Sequence, residues 1–143
     1  LMWAISNGHL SVVLTLLLLK AEVKKRDFDG RNALHMACMY GEVKMAHALI
    51  EAEAPLDAKD KYGDSSLHWA VKKGHRDVVS VLIDAKADVK IKGKYGDTPL
   101  HWAAKRDERE ICKLLMRAGA RARAPDDEGT TPVDWAKLRQ LCV

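Results

Sequence analysis

At 143 residues, with 48% hydrophobic and 31% charged side chains, the chain has the size and balance of one folded domain with a core of its own. Its formal net charge of +4 and pI near 9.0 fall short of the basic blocks that mark nucleic-acid binders, so nucleic acid is not expected as a partner. Cys38, Cys112 and Cys142 are odd in number and share no metal-ligand spacing, so they read as packed free thiols in a reducing compartment, the cytoplasm or the nucleus.

The first residues, LMWAISNGHL, lack the basic start and cleavage site of a secretory signal. The apolar run from Val12 to Leu19 is eight residues long, against the roughly 20 needed to cross a bilayer, so no direct membrane insertion is expected. A helix is expected here with Val12, Val13, Leu16 and Leu17 turned inward. Leu14, Leu18 and Leu19 then extend its apolar surface, which preceding sequence is expected to cover, with a second interface as the alternative.

From there the chain repeats every 33 residues. Gly30, Gly63, Gly96 and Gly129 obey that step, as do His35, His68 and His101, and Leu34, Leu67, Leu100 and Val133. Trp3, Trp69, Trp102 and Trp135 share one repeat position, with Met36 in the fifth copy. A fixed period of this length indicates supersecondary units stacked in a row, each burying its apolar face on its neighbours. Complete units are expected at 27–59, 60–92 and 93–125, with partial ones at 1–26 and 126–143. Such ends read as a piece of a longer polypeptide, or as a chain with disordered ends.

Residues 60–92 show how one unit is built. Gly63, in KYGD, suits a tight turn with positive φ, hence a hairpin tip. Ser65 or Ser66 can cap a helix starting near Leu67, with Leu67, Ala70 and Val71 at helical spacing and Gly74 ending it. Val78, Val79, Val81, Leu82 and Ile83 form the inward side of a second helix, and a loop through Ala87 and Val89 leads to the next tip. In the following unit, Thr98-Pro99 places a capping residue before a proline at the first helical position.

The tracts GDTPLHWAA at 96–104 and GHRDVVSVLI at 74–83 resemble the ankyrin repeat, and the resemblance runs the length of the chain. It implies an all-α solenoid, an ankyrin-repeat array with a helix–turn–helix and a β-hairpin or loop per 33 residues. Asn32-Ala33 and Ser65-Ser66 depart from Thr-Pro, so those helix starts are expected to be less strongly punctuated. Lys20, Glu53 and Lys86 stand where the pattern has a glycine that survives as Gly119, and Asp107 replaces an inner-helix cap glycine. Each such residue in a left-handed cap costs roughly 1 kcal/mol.

No catalytic set, phosphate loop or cofactor motif is found, and no cofactor is expected. The histidines one repeat apart lie on helices that stack about 8–10 Å from each other, too far to share a zinc. The resemblance assigns them instead to hydrogen bonds with hairpin backbone of their own and neighbouring units. It also places partner contacts on hairpin tips and inner helices. Here these are Phe28, Arg31, Tyr62, Asp64, Tyr95 and Asp97 at the tips, and Met39, Tyr40, Lys72, Lys73, Lys105 and Arg106 at the inner-helix ends. Trp69 and Trp102 have two readings, packing between units and direct contact with a partner. Over all tip and inner-helix-end positions, with Arg26, Lys59 and Lys92 at the tip feet, ten basic residues face five acidic ones.

That pattern suits a protein-interaction module that takes another protein or a peptide, acidic or phosphorylated, with no enzymatic activity of its own. Three alternatives stay open. LMWA at 1–4 and LHWA at 67–70 and 100–103 are similar to tracts of ankyrin-bearing protein palmitoyltransferases, where the repeats recruit substrate. A nucleotide or nucleic-acid binder would stack bases on Trp69 and Trp102, and a passive spacer would have no groove partner.

Overall fold

The computed structural model describes residues 1–141, so the thiol of Cys142 lies outside the described residues. Nine helices are found among them, and they alternate between two rows. The inner row holds α1 (Met2–Ser6), α3 (Ala33–Tyr40), α5 (Ser66–Lys73), α7 (Pro99–Lys105) and α9 (Pro132–Leu141). The outer row holds α2 (Leu10–Leu18), α4 (Val43–Glu51), α6 (Arg76–Asp84) and α8 (Arg109–Arg117). Helices α1 to α8 pack in antiparallel pairs, and neighbouring copies pack within each row, as in α3 on α5, α4 on α6 and α9 on α7. This is the all-α solenoid.

Helices of this length are not stable alone, and the core shows what supports them. Leu34, Ala37 and Cys38 of α3 are buried with Met45, Ala46 and Leu49 of α4. Leu67, Ala70 and Val71 of α5 are buried with Val78, Val79 and Leu82 of α6, and Leu100, Ala103, Ile111 and Leu115 continue the stack. Val12 departs from the expected inward set, since it is 44% exposed while its neighbour Val13 is fully covered.

The helix starts are better punctuated than Asn32 and Ser65 suggest. Asn32, Ser65 and Thr98 all cap their helices, and in each case the histidine three residues on closes a reciprocal capping box. The sequence pattern hid this because a histidine stands where the usual box has Glu or Gln. Gly41 and Gly74 end α3 and α5 in the left-handed region at φ 74°. Lys20, Glu53, Lys86 and Asp107 adopt φ between 57° and 70°, the strained caps expected of them.

The hairpin tips are turns with little strand character. One isolated antiparallel bridge joins Lys59 and Ser65. Each tip closes through a backbone pair, such as Asp60 N–H to the Asp64 carbonyl at 2.9 Å and Gly63 N–H to the Asp60 carbonyl at 3.1 Å. Adjacent tips are tied as well, with Lys61 N–H donating to the Asp29 carbonyl at 2.9 Å and Asp127 N–H to the Tyr95 carbonyl at 3.0 Å.

Candidate functional site

An aspartate at the foot of the tip organises three of the four turns. One carboxylate oxygen of Asp27 accepts from the backbone N–H groups of Asp29 and Arg31, both at 2.9 Å. Asp60 does the same for Tyr62 and Asp64 at 2.9 Å, and Asp126 for Glu128 and Thr130 at 3.0 and 2.8 Å. The side chain thus replaces a solvent shell on two donors and fixes the loop without burying extra apolar surface. Residue 93 of the remaining tip is Gly93. The aspartate recurrence at 27, 60 and 126, three residues before each tip glycine, is the sequence signal for these turns.

That one difference re-routes a tryptophan. Trp69 Nε1 donates to Asp60 Oδ2 at 2.8 Å. With glycine at 93 in place of that carboxylate, Trp102 Nε1 donates instead to Oδ2 of Asp97. Asp64, the counterpart of Asp97, is left for Lys72, whose Nζ lies 2.5 Å from its Oδ2. Both partners are largely covered, so the bond is part of the floor of the groove. Burial pushes the Asp64 carboxyl above its ordinary range, with the Lys72 ammonium pulling the other way.

Lysines then alternate with the tryptophans. Lys72 Nζ stands 5.7 Å from the centroid of the Trp69 ring and 4.0 Å from that of Trp102. Lys105 Nζ stands 5.1 Å from Trp102 and 4.6 Å from Trp135. An ammonium over each ring face makes the stripe a ladder of rings and cations. Trp69, Trp102 and Trp135 are half-buried, so each combines packing with an accessible edge, whereas Trp3 is 69% exposed beside His9.

Two clefts run along this ladder. The larger, about 440 Å³, brings together Arg31, Tyr62, Asp64 and Trp69 with Lys72, Tyr95, Asp97 and Trp102. The smaller, about 280 Å³, joins Tyr95, Asp97, Trp102 and Lys105 to Trp135, Asp126 and Glu128. Phe28, Met39, Tyr40, Lys73 and Arg106 line neither cleft. Phe28 is fully exposed at its tip, and Tyr62 and Tyr95 are 47% and 68% exposed at theirs.

The charge of this face is more balanced than ten against five. With Asp27, Asp60 and Asp126 included, eight acids face the ten bases. Arg31 pairs with Asp27 and Asp29, Lys61 with Asp29, and Lys72 with Asp64. The Lys61 ammonium, with help from Arg31, holds the Asp29 carboxyl below its ordinary range. The basic side chains at the open ends of the inner helices are Lys73, Lys105 and Arg106, all exposed.

The histidines serve the stack. Nε2 of His35, His68 and His101 lies 3.2, 3.2 and 3.1 Å from the carbonyls of Asp64, Asp97 and Thr130, each in the next tip. At His68, the Ser65 backbone N–H points at Nδ1 from 3.2 Å, so the neutral Nε2–H tautomer satisfies both ends. Burial drives His68 down to about 4, and lowers His35 as well. Among the described residues, Asp64, His68 and Asp97 place ligand-type atoms within 4.8 Å of one another. Asp64 Oδ2 accepts from Lys72, His68 Nδ1 from the Ser65 backbone N–H and Asp97 Oδ2 from Trp102, so a metal ion here would have to displace hydrogen bonds that hold the groove together.

Among the described residues no helix is long and apolar enough to cross a membrane. No match was found among curated proteins. A family model described as ankyrin repeats, in three copies, matches residues 1–93 and 85–142. With that match on a two-row stack of capped helix pairs, the chain belongs to the ankyrin-repeat family, whose members are generally non-enzymatic protein–protein interaction modules.

Proposed function

We propose that this chain binds a partner protein or peptide along its tips and inner-helix face, acting inside the cell. The observation that carries the reading is the line of aromatic rings. Phe28, Tyr62 and Tyr95 stand exposed on successive tips, and the two tyrosines line one cleft with Trp69 and Trp102. Exposed rings on a rigid support are the usual anchors of protein interfaces. The Phe28 and Tyr62 tips are fixed beforehand by aspartate turns, and the Tyr95 tip by its backbone pair and its hydrogen bond to the next tip, so little ordering accompanies binding.

Units 27–59, 60–92 and 93–125 supply this face, with partial units on either side. The partner's segment is mixed or acidic. Its carboxylates or phosphates meet Lys73, Lys105 and Arg106 at the inner-helix ends, while Lys72 stays with Asp64. Burial pushes the Cys38 thiol upward, which keeps it a packing group and suits a reducing compartment.

The test is affinity capture with the parent chain and with a Tyr62→Ala, Tyr95→Ala variant whose helicity and melting are unchanged. The expected result is a protein held by the parent, lost by the variant, and released further by salt and by Lys73→Ser, Arg106→Ser. Equal capture by parent and tyrosine variant would sink the site assignment.

A further inference from the structure

The outer helix α2 is unlike its three counterparts. Its sequence, LSVVLTLLL, carries no charged residue, whereas α4, α6 and α8 each carry at least two. The 33-residue register separates two kinds of exposure along it. Val12 aligns with Met45, Val78 and Ile111, all of them buried, so its exposure belongs to the stacking side of the helix. Leu14 aligns with His47 and Ser80, and Leu18 with Glu51 and Asp84. In α4 and α6, which have an outer helix packed on each side, these positions are polar, and three of the four are exposed. Stacking a further unit on α2 therefore leaves Leu14 and Leu18 facing solvent.

Leu14 and Leu18 lie one turn apart on one side of the helix, 43% and 83% exposed, and Leu19 follows at 74%. A basic segment comes next: Lys20, Lys24 and Lys25 are all exposed, and Glu22 is the one acid between residues 10 and 26. An apolar ridge followed by three exposed lysines calls for a surface that is both apolar and anionic. A second copy of this chain is disfavoured, because a symmetric contact sets two patches of the same positive sign against each other with one acid, Glu22, on each side. A protruding leucine ridge suits a bilayer interface, which deforms around it, while lysine ammoniums reach headgroup phosphates.

We propose that the Leu14–Leu18 ridge with Lys20, Lys24 and Lys25 is a docking surface for an anionic lipid bilayer, adsorbing at the interface without spanning it. The leucine ridge lies on the outer row, whereas Trp69 and Trp102 lie on the inner row. This surface stands independently of the peptide-binding reading.

The test is flotation of the 143-residue chain with vesicles of phosphatidylcholine alone and of phosphatidylcholine with phosphatidylserine. The chain is expected to float with the anionic vesicles only. Each lysine among the three changed to serine should weaken partitioning about fivefold. Leu14→Ser with Leu18→Ser should weaken it more than about tenfold, and both side chains are exposed enough for the fold to survive, which a melting curve checks. Absence of flotation on anionic vesicles overturns the proposal. So does a leucine variant that floats like the parent, which would reduce the effect to net charge. A chain that ignores vesicles but loses a cross-linked protein on the leucine changes has a protein docked there instead.

Discussion

Ser66 is the residue whose replacement tests the capping logic most directly. It occupies the first helical position of α5, behind the cap Ser65, and its Oγ is buried without a hydrogen-bond partner. The equivalent residue of α7 is Pro99, also buried, behind the cap Thr98. Ser66→Pro should therefore be accommodated. Ser65 is extended at φ −86°, ψ 171°, the conformation that a following proline requires. The first-position N–H has no intrahelical acceptor to lose. Restricting the unfolded chain contributes about 0.4–1 kcal/mol, and removing an unsatisfied buried hydroxyl about 1 kcal/mol more. The expected gain is about 1–2 kcal/mol, or roughly 3–6 °C in melting temperature for a chain of this size. Urea unfolding followed by circular dichroism, with thermal melts beside it, measures both. A variant less stable than the parent would mean that the two helix starts are not equivalent, and the transfer of capping geometry between units would fail.

Three further outcomes follow from the backbone and from burial. Glu53→Gly combined with Lys86→Gly relieves left-handed caps at φ 59° and 70° and should raise stability by about 1–2 kcal/mol in the same unfolding assay. Gly63→Ala should lower it by about 2 kcal/mol or more, because Gly63 sits at φ 78° and an added Cβ would lie 2.6 Å from the Lys94 backbone nitrogen. His68, at about 4 folded against 6.5 unfolded, leaves the unfolded chain binding the extra proton between those values. Its contribution is thus complete above pH 6.5 and is lost as pH falls, by about 2 kcal/mol at pH 5. An NMR titration showing the folded His68 imidazole changing near 6.5 would refute this, and His35 should move in the same direction.

The repeat was legible because it is written in residue types that have one use at one place. Glycine at 30, 63, 96 and 129 marks a left-handed turn, and all four have φ between 72° and 80°. The left-handed conformation of Lys20, Glu53, Lys86 and Asp107 followed from register alone. Side-chain partnership was not legible, since it depends on what a neighbour lacks. Nothing local to Trp102 says that it bonds Asp97 while Trp69 bonds Asp60; the difference arises at position 93, nine residues away. The same limit applies to Lys72. It reads as a free cation beside Lys73, yet it is locked on Asp64 and covers the Trp102 ring.

Lys72 therefore belongs to the frame of the groove as well as to its surface, and this bears on how the groove must be probed. Its ammonium joins the tip of its own unit, through Asp64, to the tryptophan of the next. Lys72→Glu would set a second carboxylate against one whose ionised form burial already disfavours. Any loss of binding in that variant would mix a shifted floor with a lost contact. Tyr62 and Tyr95 stand proud of the frame, and Lys73 and Arg106 are exposed, so changes there remove contacts while leaving the Asp64–Lys72–Trp102 connection in place. If Tyr62→Ala and Tyr95→Ala abolish partner capture at unchanged melting temperature while Lys72→Met lowers both together, the frame and the contact surface are separate. If Lys72→Met abolishes capture at unchanged stability, the ammonium is itself a partner contact and the frame assignment falls.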